Sequence, residues 1–352
     1  MNLPDAVRPV AAAVEDRLRQ LLDRERDRWG AVDRDLEDPF TALQDYVLAG
    51  GKRLRPAFCY WAFVGAGGRP DDRAVIDAGA AIEMLHTAAL VHDDIIDGSL
   101  RRHGAETVHI RFARLHGGRG WSGEADRFGE GAAILIGDLS LIYSSLLLAG
   151  APPAAVATFE EMRLEVNVGQ YLDILGTAEG VAGPGPAAAA REQRICRFKT
   201  AKYTIERPLH LGAALAAPDR LGELAGPLSD FGLPLGEAFQ LKDDLLGVFG
   251  DPTITGKPVG DDLREGKPTL LASLAAQRDA RFGARFGASD LNPADVAALQ
   301  EIIEATGARA EVERSIDELV ARSETALDRL PISGEARTAL AQLARFVAGR
   351  DR

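Results

Sequence analysis

The sequence predicts an all-α protein, one large helical domain over residues 1–352, and three observations predict it. The alternating Val/Ile/Thr pattern of half-buried strands is missing. Alanine and glycine are abundant while aromatics are only 6%, which suits closely packed helices better than a β-sandwich. No proline occurs between Pro70 and Pro152, so long helices can run through that stretch unbroken. At 352 residues, 46% hydrophobic and 27% charged, the chain has the balance and the length for a large folded core.

The elements follow in order. Ala78 to Asp97 is apolar and Ala-rich with charges only at its end, a buried helix delivering acids at its C-terminal portion. His116 to Gly131 is polar and Gly-rich and reads as a surface loop. Gly131 to Ala151 holds one charge, Asp138, and is long enough to cross a bilayer. Gly137, Asp138, Tyr143, Ser144 and Ser145 interrupt it, and its flanks lack aromatic and basic belts, so it reads as a helix buried on all sides rather than a transmembrane segment. Phe159 to Leu175 has helical spacing and is stopped by Gly176 and the loop Thr177 to Pro186. Asn292-Pro293 caps and opens a helix that Gly307 closes, the start of C-terminal helices over 290–352.

With 53 acidic and 41 basic residues the net charge is −12, which argues against a nucleic-acid binder. A phosphate-binding enzyme stays open, because it needs only a few local cations or carboxylates that hold a metal. The two cysteines, Cys59 and Cys196, lie too far apart for a disulfide framework, and Met1 to Arg28 has no apolar signal region. A cytoplasmic protein is expected.

The densest chemistry is Val91-His-Asp-Asp-Ile-Ile-Asp97, where Asp93 and Asp97 share one helix face a turn apart. Carboxylates at this density suit a hard divalent ion such as Mg²⁺, which binds through one or two carboxylates plus substrate phosphates. A second acidic pair, Asp243 and Asp244, follows another apolar run. The first motif alone reads equally as a solvated helix end, and the second alone reads better as a single acidic turn on an amphipathic helix; the pair favours function, two aspartate-rich helices facing a central cavity. Gly50-Gly-Lys-Arg-Leu-Arg-Pro56 places Lys52, Arg53 and Arg55 beside flexible glycines, suited to gripping a diphosphate. Arg101, Arg102, Lys199, Lys257 and Lys267 add cations between the acidic motifs. The combination implies a substrate that is diphosphate at one end and hydrocarbon at the other.

In this order, GGKRLRP, EMLHTAALVHDDIID, KTAKYT, AFQLKDDLLGVFGD and GKPVGDDLREGKPT strongly resemble the trans-isoprenyl diphosphate synthases, the polyprenyl synthetase family, over roughly Asp45 to Ala275. The resemblance implies a helical barrel, a homodimer, Mg²⁺ dependence, and condensation of an allylic diphosphate with isopentenyl diphosphate. It implies Asp93, Asp94 and Asp97 as the first metal motif and Asp243 with Asp244 as the second. Lys52, Arg53 or Arg55, and His86 match isopentenyl diphosphate positions, and Arg102 matches the arginine on the allylic diphosphate. Lys199, Thr200, Gln240, Lys257 and Lys267 match the remaining diphosphate and carbocation positions.

Two positions depart from the family pattern. Ungapped alignment puts Arg102 at the first arginine of a pair and His103 at the second; alternatively Arg101-Arg102 is the pair, shifted by one. Gly247 stands where many members carry a third aspartate, leaving Asp251 one turn further on. For product length, family members making short products place bulky aromatics just beneath the first motif. Here Ala88 and Ala89 leave that floor open, and Met84 and Leu85 lie a turn deeper. A product longer than farnesyl is expected, geranylgeranyl first, and Ala88→Phe is expected to shorten it. The alternatives are a non-catalytic partner subunit, disfavoured by the intact Asp93, Asp94, Asp97 and Lys52; a class I terpene cyclase, which would carry an Asn/Ser/Glu late motif; and a phosphohydrolase built on His92.

Overall fold

A computed structural model describes residues 4–102, 104–179, 186–250, 260–288 and 290–349. The chain forms two compact units, Asn2–Val156 with Leu211–Pro218, and Ala157–His210 with Asp219–Arg352.

The first unit is built on α1 (Arg8–Gly30), α2 (Glu37–Leu48), α3 (Leu54–Gly65), α4 (Arg73–Ile96), α5 (Val108–Arg119) and α6 (Ala125–Leu147). Helix α1 buries Val10, Val14, Leu18 and Leu22, one residue per turn on a single face, against Phe40 and Leu43 of α2 and Met84 of α4. Asp72 caps α4 by accepting from the Ala74 amide, a contact worth about 1 kcal/mol. The helix ends at Asp97 because Gly98 turns left-handed, at φ 63°.

Two sequence expectations change here. The Gly-rich stretch 116–131 is mostly helical: α5 runs to Arg119 and α6 starts at Ala125, leaving only a short turn. Gly129 is there for packing, since a Cβ would strike the His109 carbonyl and hold α5 and α6 apart. Helix α6 is not buried on all sides, because Ile134, Leu135, Ile142 and Leu146 are exposed. By length and composition α4 and α6 are both apolar enough to span a membrane; most of α4 is packed inside the unit. Residues Arg101–Arg102 and Ala105–Glu106 pair as a two-residue antiparallel ladder, β1 and β2.

The second unit contains α7 (Pro153–Glu179), α8 (Pro186–Ile195), a π-helix (Cys196–Glu206), the start of α9 (Arg207–Ala216), and the long α10 (Leu221–Phe249). Then come α11 (Asp261–Glu265), α12 (Leu270–Arg278), α13 (Ala280–Arg285), α14 (Pro293–Ala305), α15 (Ala308–Asp328) and α16 (Gly334–Ala348). Helix α7 does not stop at Gly176 but continues to Glu179, with Gly176 pressed against Pro268 and Ile195. The expected loop after it falls largely outside the described residues. Asn292 and Asp295 complete a reciprocal capping box on α14, with Pro293 in its first turn and Gly307 left-handed beyond its end, as the sequence leads one to expect. Leu245, Val248, Leu271, Val296 and Val312 join α10, α12, α14 and α15 in one core.

Candidate active site

In the first unit the site grows from α4. At helical spacing, His86, Ala89, Asp93 and Asp97 fall along one partly or fully accessible face, while Met84, Ala88 and Val91 are buried. Asp94 is 1% exposed and fully engaged: Tyr46 Oη on α2 donates to its Oδ2 at 2.7 Å, and Arg102 Nε donates to Oδ1 at 2.6 Å. Arg102 Nη2 reaches Asp93 Oδ2 at 3.5 Å. Burial pushes the Asp94 carboxyl up, and the Arg102 charge and the Tyr46 hydrogen bond pull it back part of the way. Burial, then the negative charge of Asp94, raises the Tyr46 phenol, so it stays a donor. Burial opposes the Arg102 charge, but Asp94, Tyr46 and Asp93 together outweigh it and hold the guanidinium protonated.

This sets Asp94 apart from its neighbours: both its oxygens accept hydrogen bonds and it is closed off from solvent, whereas Asp93 and Asp97 are the more accessible carboxylates of the first motif. In the hairpin Arg102 turns to the aspartates, whereas exposed Arg101 donates to the Gly104 carbonyl. His103 lies outside the described residues.

Among the glycine-flanked cations, Arg53 faces inward. It sits in the left-handed region at φ 47°, its side chain only 3% exposed. It donates to Glu83 Oε2 (2.5 Å), Glu15 Oε1 (3.1 Å) and the Val47 carbonyl (2.7 Å). That is a structural cation tying α1, α2, α3 and α4 together. Lys52 is exposed and Arg55 half-buried in the first turn of α3, and these remain the diphosphate candidates of that segment.

The supposed chain-length floor also changes. Ser140 Oγ on α6 donates to the Met84 carbonyl at 2.7 Å, and the His92 ring meets the Ile134 carbonyl at 3.1 Å. The same ring fills the space where a Cβ on Gly137 would sit. Positions 84, 88 and 92 are therefore the stripe that packs on α6, and Ala88 is sealed within it. Ala89 shares the accessible face with Asp93. Leu85 is buried as well.

In the second unit, Lys199 and Thr200 ride on the π-helix, a rare conformation concentrated at functional sites. Lys199 Nζ donates to Asp173 Oδ2 on α7 at 2.5 Å. Thr200 hydrogen-bonds Gln240 on α10, and Gln240 Nε2 donates to Asp244 Oδ1 at 2.6 Å, one turn along. Two glycines permit the close approach: a Cβ on Gly169 would strike the Lys199 backbone, and one on Gly236 the Ala201 backbone. The π-helix is pinned by buried Glu165, which accepts from Lys202 and, at 2.6 and 2.7 Å, from Nε and Nη2 along one edge of the Arg207 guanidinium. Despite burial, those two cations hold the Glu165 carboxyl below its usual range.

Burial, then the negative charge of Asp262, pushes the Asp244 carboxyl up to about 8, with Gln240 only partly offsetting it. Lys267 Nζ lies 3.5 Å from Asp262 and 2.9 Å from Glu265. The Asp262 carboxylate fills the space beside Gly247 where a side chain would begin. Carboxylates crowded in excess of the one lysine beside them fit a divalent ion. Among the described residues, no three ligating side chains stand ready as a preformed set. Lys257 and Asp251 lie outside the described residues.

Residues 37–306 match the polyprenyl synthetase family. The chain belongs to that family. It is 30% identical to the geranylfarnesyl diphosphate synthase of Aeropyrum pernix, over 86% of this chain and 92% of that protein. It is 31% identical to the geranylgeranyl diphosphate synthase of Mycobacterium tuberculosis, over 89% of each. A solved geranylgeranyl pyrophosphate synthase from Corynebacterium glutamicum, complexed with isoprenyl diphosphate and magnesium, matches with a TM-score of 0.87 and 38% identity, over 99% of this chain and 100% of that one. The fold is thus the all-α isoprenoid synthase fold, and this polyprenyl synthetase is a prenyltransferase of the isoprenyl diphosphate synthase class.

Sequence reasoning missed Tyr46, Gly169, Asp173, Glu165 and Asp262. Gly169 and Asp173 had a readable signal, a small residue and a carboxylate one turn apart on a long helix. Tyr46 had none, since its partner lies 48 residues away.

Proposed function

We propose that this polyprenyl synthetase condenses isopentenyl diphosphate with an allylic diphosphate to give geranylgeranyl diphosphate and pyrophosphate, using Mg²⁺. Asp93 and Asp97 in the first unit, and Asp243 and Asp244 in the second, would each bind a divalent ion, which would neutralise charge on a departing pyrophosphate. Arg102 in its unit, and Lys199 and Lys267 in theirs, add positive charge for a diphosphate and so favour ionisation of the allylic C–O bond. The double bond of isopentenyl diphosphate, held by Lys52, Arg55 and His86, attacks the cation. A new C–C bond forms and one proton passes to the released pyrophosphate.

The observation that carries the chain length is Ala89. It stands one turn before Asp93 on the accessible face of α4 and puts only a methyl group in the path of a growing chain. We further propose a homodimer that covers the exposed Ile134, Leu135, Ile142 and Leu146 of α6, a larger cluster of apolar side chains than a monomer needs to expose. The unpaired thiols of Cys59 and Cys196 suit a reducing, cytoplasmic setting.

The test is incubation with labelled isopentenyl diphosphate, each allylic primer and Mg²⁺, followed by product sizing. Incorporation into a twenty-carbon diphosphate is expected. A cyclic hydrocarbon from the allylic diphosphate alone would indicate a cyclase. No incorporation, with gain of activity in a co-expressed synthase, would indicate a partner subunit.

A further inference from the structure

We infer that Tyr46 is a positioning residue for allylic diphosphate binding, acting through Asp94 on Arg102. This rests on the reading that Arg102 grips the allylic diphosphate. A carboxylate has two near-equivalent oxygens and a broad terminal torsion, so a lone buried aspartate does not fix the angle at which it meets an arginine. Here Tyr46 Oη claims Oδ2 at 2.7 Å, which leaves Oδ1 to Arg102 Nε at 2.6 Å. The second contact of Arg102, from Nη2 to Asp93, is long at 3.5 Å and does not fix the guanidinium by itself. Nη1 has no protein partner among the described residues, so part of the fork stays available for an anion.

The three groups come from separate places: Tyr46 from α2, Asp94 from α4 and Arg102 from the β1 strand. The relay therefore ties the hairpin arginine to a packed helix, and Asp94, only 1% exposed, transmits the restraint with no water between. A phenol suits this place better than a second cation. It orients the carboxylate without competing for the charge that Arg102 needs to stay seated.

Removing the hydroxyl should loosen Arg102 without touching the isopentenyl diphosphate side. Tyr46→Phe, assayed as the full chain with Mg²⁺, is expected to raise KM for the allylic primer about tenfold. KM for isopentenyl diphosphate and the thermal midpoint should stay near wild type. In an Arg102→Lys background the same substitution should add little, because the relay has already lost its end point. Should Tyr46→Phe fail to fold, Asp94→Asn, which keeps the acceptor for Tyr46 but loses the charge on Arg102, should give the same selective loss. An unchanged allylic KM, or an equal rise in both KM values, would overturn the inference. If Arg102→Lys itself leaves allylic KM untouched, the underlying reading of Arg102 fails instead, and the two failures are told apart.

Discussion

Asp94 of the first motif and Asp244 of the second are both buried aspartates, and burial is the largest influence on each. Their neighbours differ. Asp94 faces a full positive charge at 2.6 Å, while Asp244 faces an amide at 2.6 Å and further carboxylates. Asp94 is thus paired within the protein, although Asp93 and Asp97 beside it carry further negative charge. Asp244 has no such partner at hydrogen-bond distance among the described residues, and the charge of Lys267 lowers it only in part. One acidic pattern in sequence yields a pre-set arm on one helix and a cation-seeking cluster on another, and the difference lies in partners brought from elsewhere in each unit.

The largest effect should come from the accessible aspartate beside the balanced one. Asp93→Asn is expected to lower kcat/KM by about 10²–10³-fold, as loss of a charge-stabilising group at a developing anion usually does. A fall much smaller than that, measured at saturating Mg²⁺, would break the division of labour between Asp93 and Asp94.

Gly247 tests the crowded side. Restoring a third aspartate by Gly247→Asp should not help, because the Asp262 carboxylate already occupies that space. A loss of roughly 1–3 kcal/mol is expected in denaturant unfolding, from overpacking and like charge. Equal or higher stability would show that Asp262 yields easily and that the crowding is overstated.

Glu192 is the control, a half-buried carboxylate whose hydrogen-bond partner among the described residues is the Ser273 hydroxyl. Burial pushes it up to about 7 from 4.5. A raised carboxyl is protonated in the fold but ionised in the unfolded chain above 4.5. Its contribution to stability is therefore fully present below that pH and is lost as pH rises towards 7. Comparing unfolding midpoints at pH 5 and pH 8, Glu192→Gln should flatten the decline seen in wild type. An unchanged slope would remove burial without a cation as the common cause.

What was legible in the sequence follows from where the determinants lie. The α4 helix, its terminal aspartates and the capping box at Asn292 are local patterns, and they read correctly. The role of Arg53 as against Lys52 or Arg55 depends on one left-handed residue that turns its guanidinium inward onto Glu83. Ala88 and Ala89 are adjacent and identical in type, and only the α6 contacts at Met84 and His92 separate them. The helical glycines at 129 and 176 read as breakers because close approach to another helix leaves no local trace. The same holds for Tyr46, whose meaning is set by a partner on another helix.

The central claim is that an allylic chain grows along the face of α4 carrying Asp93 and Ala89. Product sizing of Ala89→Phe beside Ala88→Phe, with labelled isopentenyl diphosphate, allylic primer and Mg²⁺, tests it most directly. A twenty-carbon product is expected from wild type and a shorter one from Ala89→Phe. Ala88→Phe should keep the wild-type product length with a lowered thermal midpoint. Shortening by Ala88→Phe with none by Ala89→Phe would contradict it.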